Sequence, residues 1–363
     1  MGAPAPIACD WCLDRREEIF PPGFCMTRRS QGDKSMSKPC AHFIRRGLWA
    51  AAFFLAGATQ AQTYPVRTIT LVVPYPAGGG TDTVARIVAE KMRPALGQNI
   101  VIDNRGGASG IVGTDMVAKA APDGHTLVVS LSTSLLINKF LFKKLPYDPQ
   151  KDLMMVSQIA LAPIMLVVNE KVPVRNVAEL KTYLAANKGK LSYGSWGIGS
   201  SAHLTGAHLS KVLDADMTHV PYKGGAPLIQ DLVGGQIPLS FVGIAEAKPF
   251  IDAGKLRPIG ITGETRVNFF PNVPTLAEQG LQDDVFRIVG WIGLAAPAAT
   301  PKAIQQRIAD EVRAAVRLPD VRARFESFGM DPVARGPEEF AAAYRKDMPV
   351  WQQVVKASGA TLD

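Results

Sequence analysis

The sequence predicts an α/β protein of two lobes, each built on a mainly parallel sheet. Three observations carry that expectation. Apolar runs of strand length alternate with segments of helical periodicity from about residue 68 onward, separated by short turns, which is the pattern of βαβ units. The 302 residues from 62 to 363 are enough for two domains. No flexible linker interrupts them, so the lobes are expected to share crossing strands rather than a string.

Residues 1–61 read as a leader outside the fold. Lys38, Arg45 and Arg46 form a basic start, residues 48–56 an apolar stretch, and residues 56–61 a small-residue cleavage region, so the mature chain is expected to begin near Gln62. Arg45-Arg46 fits either a twin-arginine or an ordinary secretory signal. The apolar stretch is shorter than the ~20 residues of a membrane span and no second one follows, so no membrane insertion of the mature chain is expected. Met36 opens a leader of normal proportions, and residues 1–35 read as an upstream extension. All four cysteines, Cys9, Cys12, Cys25 and Cys40, lie in this front part, which leaves the mature chain without disulfides or a cysteine metal site.

Along the mature chain, Thr68 to Pro74 reads as a strand and Asp82 to Leu96 as a helix carrying Val84, Ile87, Val88 and Met92 on one face, with Gly97 as its stop. Further strands are expected at 100–103, 126–130, 164–168, 191–194, 218–221, 239–242, 258–262 and 289–294. Asn176-x-x-Glu179 reads as a capping box, and Thr300-Pro301 as an N-cap followed by proline at the first helical position. The last sixty or so residues lack strand patterning and read as helices. The apolar stretches 156–168 and 285–294 are the expected crossings. They divide the chain into a discontinuous first lobe, residues 62–163 with 289–363, and a second lobe, 164–288, with a cleft between them where βα turns point.

Three turns share one design, in which a strand runs through glycines into a helix. They are Ala77-Gly78-Gly79-Gly80-Thr81-Asp82, Gly194 through Ser195, Trp196, Gly199, Ser200 and Ser201 to His203, and Tyr222-Lys223-Gly224-Gly225. Each bares backbone N–H groups at a positive helix end, a seat for an anion. One such turn is ordinary in any α/β protein; three at strand carboxyl ends point to a ligand cleft. Asp82 reads as a residue that orders its loop, since its charge would repel an anion. Trp196 has two readings, a pocket wall or ordinary packing, and His203 likewise faces the cleft or is satisfied within the fold.

Charge and motifs narrow the function. Eight of the 40 Lys/Arg and five of the 32 Asp/Glu lie in residues 1–61, which leaves the mature chain with 32 and 27 and a net charge of +5. That excess suits an anionic ligand, and the scattered basic residues speak against nucleic acid. Thr83 stands where a dinucleotide fingerprint needs its last glycine, and neither a P-loop nor a G-x-S-x-G elbow occurs. His203 and His208, five apart, fall on different helix faces and make no metal pair. No cofactor or metal is expected. The readings that stay open are a binding protein, a secreted hydrolase or lyase of carboxylic acids, and a sensor subunit for a signalling partner.

The ordered set Tyr64-Pro65, Val73-Pro74-Tyr75-Pro76-Ala77-Gly78-Gly79-x-x-Asp82, Leu145-Pro146-Tyr147-Asp148-Pro149, Gly199-Ser200-Ser201-x-His203-Leu204, His219-Val220-Pro221-Tyr222-Lys223-Gly224, Gly254-Lys255-Leu256-Arg257, Val273-Pro274-Thr275-x-x-Glu278-x-Gly280 and Ala296-Pro297-x-x-Thr300-Pro301 closely resembles the Bug, or TctC-like, extracytoplasmic solute receptors of tripartite tricarboxylate transporters. The resemblance implies a monomeric periplasmic "Venus flytrap", a type II binding-protein fold, that closes on a small carboxylate and passes it to membrane permease subunits. It places ligand contacts at Tyr75, Ala77, Gly78, Gly79 and Asp82 of the first turn, at Gly199, Ser200, Ser201 and His203 of the second, and at Ser132, Thr133 and Asn138 of a loop facing the cleft. Tyr75 and Trp196 stand at positions that vary in the family. Lys223 and Gly224 of the third turn complete the candidate set.

Overall fold

In the computed structural model, which describes residues 64–362, alternating burial decides which way each strand faces. The first strand, β1 (Ile69–Val73), sends Ile69, Leu71 and Val73 into one apolar cluster and Val72 into another, as the two-residue period of a strand buried on both faces requires. It leads through the first glycine turn into α1 (Gly80–Leu96), which buries Val84, Ile87, Val88 and Met92 and ends at left-handed Gly97, φ 64°. There follow β2 (Ile100–Asn104), α2 (Ile111–Ala118), β3 (Thr126–Leu131), a π-helical turn over Thr133–Ile137, the short α3 (Asn138–Leu141) and β4 (Leu153–Ala162). The chain then continues past Pro163 into β5 (Ile164–Asn169).

The second half adds α4 (Val177–Ala186), β6 (Ser192–Ser195), α5 (Ser201–Val212), β7 (Thr218–Pro221), α6 (Gly225–Gly234), β8 (Leu239–Gly243), α7 (Ile244–Asp252), β9 (Leu256–Ile261) and α8 (Asp284–Arg287). It closes with β10 (Gly290–Pro297), α9 (Lys302–Arg317), α10 (Pro319–Ser327), β11 (Asp331–Arg335) and α11 (Pro337–Ser358). The strands form two sheets, ordered β11-β4-β10-β3-β1-β2 and β7-β6-β8-β5-β9. The result is a two-lobe α/β fold.

Both sheets are mixed rather than mainly parallel. The pairs β1–β2, β1–β3, β6–β7 and β6–β8 are parallel, as expected for βαβ units. Every antiparallel pair involves β4, β5 or β10. These strands pass from one sheet to the other, so they enter against the direction of the βαβ strands beside them.

Three other expectations are corrected. The C-terminal region contains a strand, β11, an edge strand that holds Pro332 and an irregular register. A proline and an unpaired edge are what hide such a strand from pattern reading. Thr300 does not cap α9: Pro301 is the N-cap, and the Thr300 hydroxyl is buried without a partner. Asn176 caps α4 as expected, with Glu179 N–H donating to Asn176 Oδ1 at 2.8 Å, but the Glu179 carboxylate accepts from Arg175 N–H, one residue before the cap, so the reciprocal bond of a capping box is not formed to Asn176 N–H. The leader, its cleavage site and the four cysteines lie outside the described residues.

Helix α11 packs against β4, α3 and α5, and so touches elements of both sheets. Tyr344 on it donates to Leu135 O, and Trp291 Nε1–H on β10 donates to its Asp347 at 2.9 Å. Burial pushes the Asp347 carboxyl up to about 6 even though the Trp291 bond favours its ionised form.

Candidate ligand-binding site

The parallel strands β1, β2 and β3 end at one edge of their sheet, and the loops that follow them lie against one another. The first glycine turn is organised by Asp82. Its carboxylate, 2 % exposed, accepts from Gly78 N–H at 2.8 Å, from Arg86 Nε at 2.9 Å and from Asn104 Nδ2 at 3.0 Å. Burial alone would raise the Asp82 pKa, but these bonds outweigh it and hold the group below the usual carboxylate range. Asp82 therefore orders the loop, and the Gly78 N–H is spent on it. The N–H groups of Gly79, Gly80 and Thr81 have no partner among the described residues, at the positive end of a 17-residue helix. Ala77, Gly78 and Gly79 are exposed, so this end is open.

The second turn is held by side chains. Ser200 caps α5, accepting from His203 N–H at 3.2 Å while its own hydroxyl donates to Gly197 O at 2.6 Å. His203 Nδ1 accepts from Gly199 N–H at 3.1 Å, so its proton sits on Nε2 in the neutral ring. His203 stacks on His219 at 3.9 Å between centroids, and His219 Nε2 meets Ser195 Oγ at 2.7 Å. Burial lowers the pKa of His203, and burial together with the His203 ring pushes His219 down to about 4. What remains for a ligand is the Ser201 hydroxyl with the Ser201 and Ala202 N–H groups, none of which has a partner among the described residues. Trp196 is half-buried and packs on two apolar clusters.

The third turn differs from the other two. The Glu246 carboxylate of α7 packs so closely on Gly225 that a Cβ there would not fit, so a resident anion already stands at this helix start. Lys223 is exposed and has no partner among the described residues; Gly224 adopts φ 108°.

The loop after β3 links the turns. Ser132 and Asn138 are buried and Thr133 is half-buried; Asn138 Nδ2 donates to Ser109 O. Leu141, one helical turn on, lies 2.6 Å from where a Gly199 Cβ would be, and Gly199 has φ 79°. Only glycine fits that contact. Sequence reasoning missed Arg86 and Asn104, which hold Asp82, and His219. It also missed a fourth glycine turn, Arg105-Gly106-Gly107-Ala108-Ser109-Gly110, although this carries the same signature of glycines after a strand. Among the described residues there is no group of three or more His, Cys, Asp or Glu that could hold a metal ion, and no helix long and apolar enough to cross a membrane.

Residues 84–360 match the tripartite tricarboxylate transporter family receptor. The chain belongs to this family of solute-binding receptors. The receptor is 33 % identical to the protein BugT of Bordetella pertussis over 317 residues, which cover 87 % of this chain and 97 % of that one. It is similar to the structure of MatC from Rhodopseudomonas palustris with bound malate (36 % identity, TM-score 0.70, 80 % of this chain and all of that one). It is likewise similar to Rpa4515 of R. palustris with adipate (32 % identity, TM-score 0.74, 82 % of this chain and all of that one).

Proposed function

We propose that the receptor works in the periplasm, after cleavage of its leader near Ala61, as a monomer that captures a small carboxylate between a lobe of residues 62–163 with 289–363 and a lobe of residues 164–288. It delivers that ligand to a tripartite tricarboxylate-type permease. The observation that carries this reading is the pair of helix starts, α1 and α5, each at a strand's carboxyl end with N–H groups left unpaired after Asp82 has taken Gly78 N–H in the first and Ser200 has taken His203 N–H in the second. Such a pair binds a carboxylate through backbone dipoles and a hydroxyl, with no cation or cofactor required. The malate and adipate held by similar proteins are of the same chemical class.

Binding without turnover fits the hydroxyl chemistry. Ser195 and His219 form the one hydrogen bond between a serine hydroxyl and a histidine ring among the described residues, and Ser195 is fully buried with its hydroxyl also bonded to Gly197 O. A thermal-shift screen of the mature chain against mono- and dicarboxylates and neutral sugars tests the reading. A carboxylate at 100 times its dissociation constant stabilises the fold by about 2.7 kcal/mol, and it is recovered chemically unchanged. A shift by sugars alone, or conversion of the acid, overturns it.

A further inference from the structure

Behind the first turn lies a buried polar cluster in which two atoms lack partners. Asn138 is fully buried; its Nδ2 is used on Ser109 O at 3.1 Å, but its Oδ1 accepts from nothing. The Tyr75 hydroxyl is buried and unpartnered too. Its polar neighbours are the backbone of Leu131 and the hydroxyls of Ser130 and Ser134, which bond each other at 2.5 Å; Thr114 Oγ1 bonds Gly110 O and Ser134 Oγ, and Tyr147 donates to Ser134 O. Every other hydroxyl of the cluster is engaged. A buried acceptor and a buried phenol are left over, an arrangement proteins rarely leave unfilled.

The roof of the cluster is the loop Gly107–Gly110, whose four residues have φ of 138°, 46°, 54° and 86°. Ala108 and Ser109 are held in the left-handed region that disfavours side chains, a strain that needs a reason and that relaxes if the loop moves. Gly110 lies over the Tyr75 hydroxyl, which a Cβ there would approach to 3.0 Å, and Gly106 runs along Pro76 of the first turn. The roof thus joins the open anion seat to the two unpartnered atoms.

We propose that this cluster, once the loop lifts, is the specificity pocket of the receptor, and that it selects carboxylates carrying a hydroxyl group near the carboxylate. A hydroxyl donates to Asn138 Oδ1 and accepts from Tyr75, and so satisfies both atoms, whereas a plain methylene satisfies neither. The inference rests on the receptor reading above. It assigns Tyr75 and Asn138 a role in choosing the ligand and not only in holding it.

Calorimetric titration of the mature chain with the pairs malate and succinate, and lactate and propionate, tests it. The hydroxy acid of at least one pair binds ten-fold or more tighter than its deoxy partner. Tyr75→Phe, which removes an oxygen that bonds nothing in the structure, reduces that preference at least three-fold while leaving the melting temperature of the free protein within about 2 °C. Equal affinities within each pair, or a preference unchanged in Tyr75→Phe, overturn the inference and leave the receptor reading standing. If no carboxylate of the wider screen binds, the receptor reading falls and this inference falls with it.

Discussion

Asp82 shows how one residue sets the first turn. Its buried carboxylate ties Gly78, Arg86 and Asn104 together, so Asp82→Ala leaves Gly78 N–H without its acceptor and Asn104 Nδ2 with Tyr75 O alone. We expect a loss of roughly 1 to 3 kcal/mol by urea denaturation, the range for bonds to a charged group, together with weaker carboxylate binding as the turn loosens. Its role as a loop organiser was legible in the sequence from charge alone; its partners Arg86 and Asn104 were not, because they come from a helix face and a neighbouring strand that only the fold brings together. His219 was invisible for the same reason. With its pKa pushed down to about 4, the folded protein binds a proton less readily than the unfolded chain. The contribution of His219 to stability is therefore full above about pH 6.5, falls as the pH drops from there towards 4 and levels off below, while Asp347, raised to about 6, contributes with the opposite sign below pH 6. The slope is at most about 1.4 kcal/mol per pH unit. His219→Gln flattens this profile in a melting-temperature series from pH 7.5 to 4; an unchanged slope would mean that the His203–His219 stack does not stay neutral.

Elements separate binding from folding. The Asn176 cap of α4 lies away from both anion seats, and Asn176→Ala is expected to cost about 1 kcal/mol of stability with no change in carboxylate affinity, measured by melting and by calorimetry on the same sample. Helix boundaries with a chemical signature, such as this cap and Gly97, could be read directly. Thr300 could not, since threonine before proline looks like a cap whether or not its hydroxyl reaches the helix. Strand β11 was hidden by Pro332, and the antiparallel pairs by the crossings themselves, because strand direction is decided by where the chain comes from and not by its local pattern. The three glycine turns looked alike in sequence. They differ in the structure because Glu246 occupies the third, a partner contributed by a helix some twenty residues further on.

In the whole molecule, elements of the two sheets meet on more than one side. Leu141 presses on Gly199, and Gly329, at φ 70°, lies against Ile244 and Ala245 at the start of α7 while its neighbour Met330 reaches Gly80 of the first turn. Asn tolerates the left-handed region, so Gly329→Asn isolates the steric part of this contact. It is expected to weaken ligand binding at least five-fold with little loss of stability, and an unchanged affinity would show that the Gly329 contact plays no part in closure. The expected division of the chain rests on continuous apolar crossings, whereas these contacts depend on glycines whose neighbours are more than fifty residues away. The central claim is that backbone N–H groups and one free hydroxyl, rather than a side-chain cation, neutralise the ligand. The sequence put Ser200 and Ser201 forward together, but the Ser200 hydroxyl is committed to Gly197 O, so the burden falls on Ser201. Titration of the best carboxylate into Ser201→Ala and Lys223→Met decides the matter. We expect Ser201→Ala to weaken binding by roughly 1 to 3 kcal/mol and Lys223→Met to leave it within about two-fold; loss of binding in Lys223→Met with a neutral Ser201→Ala would contradict this account.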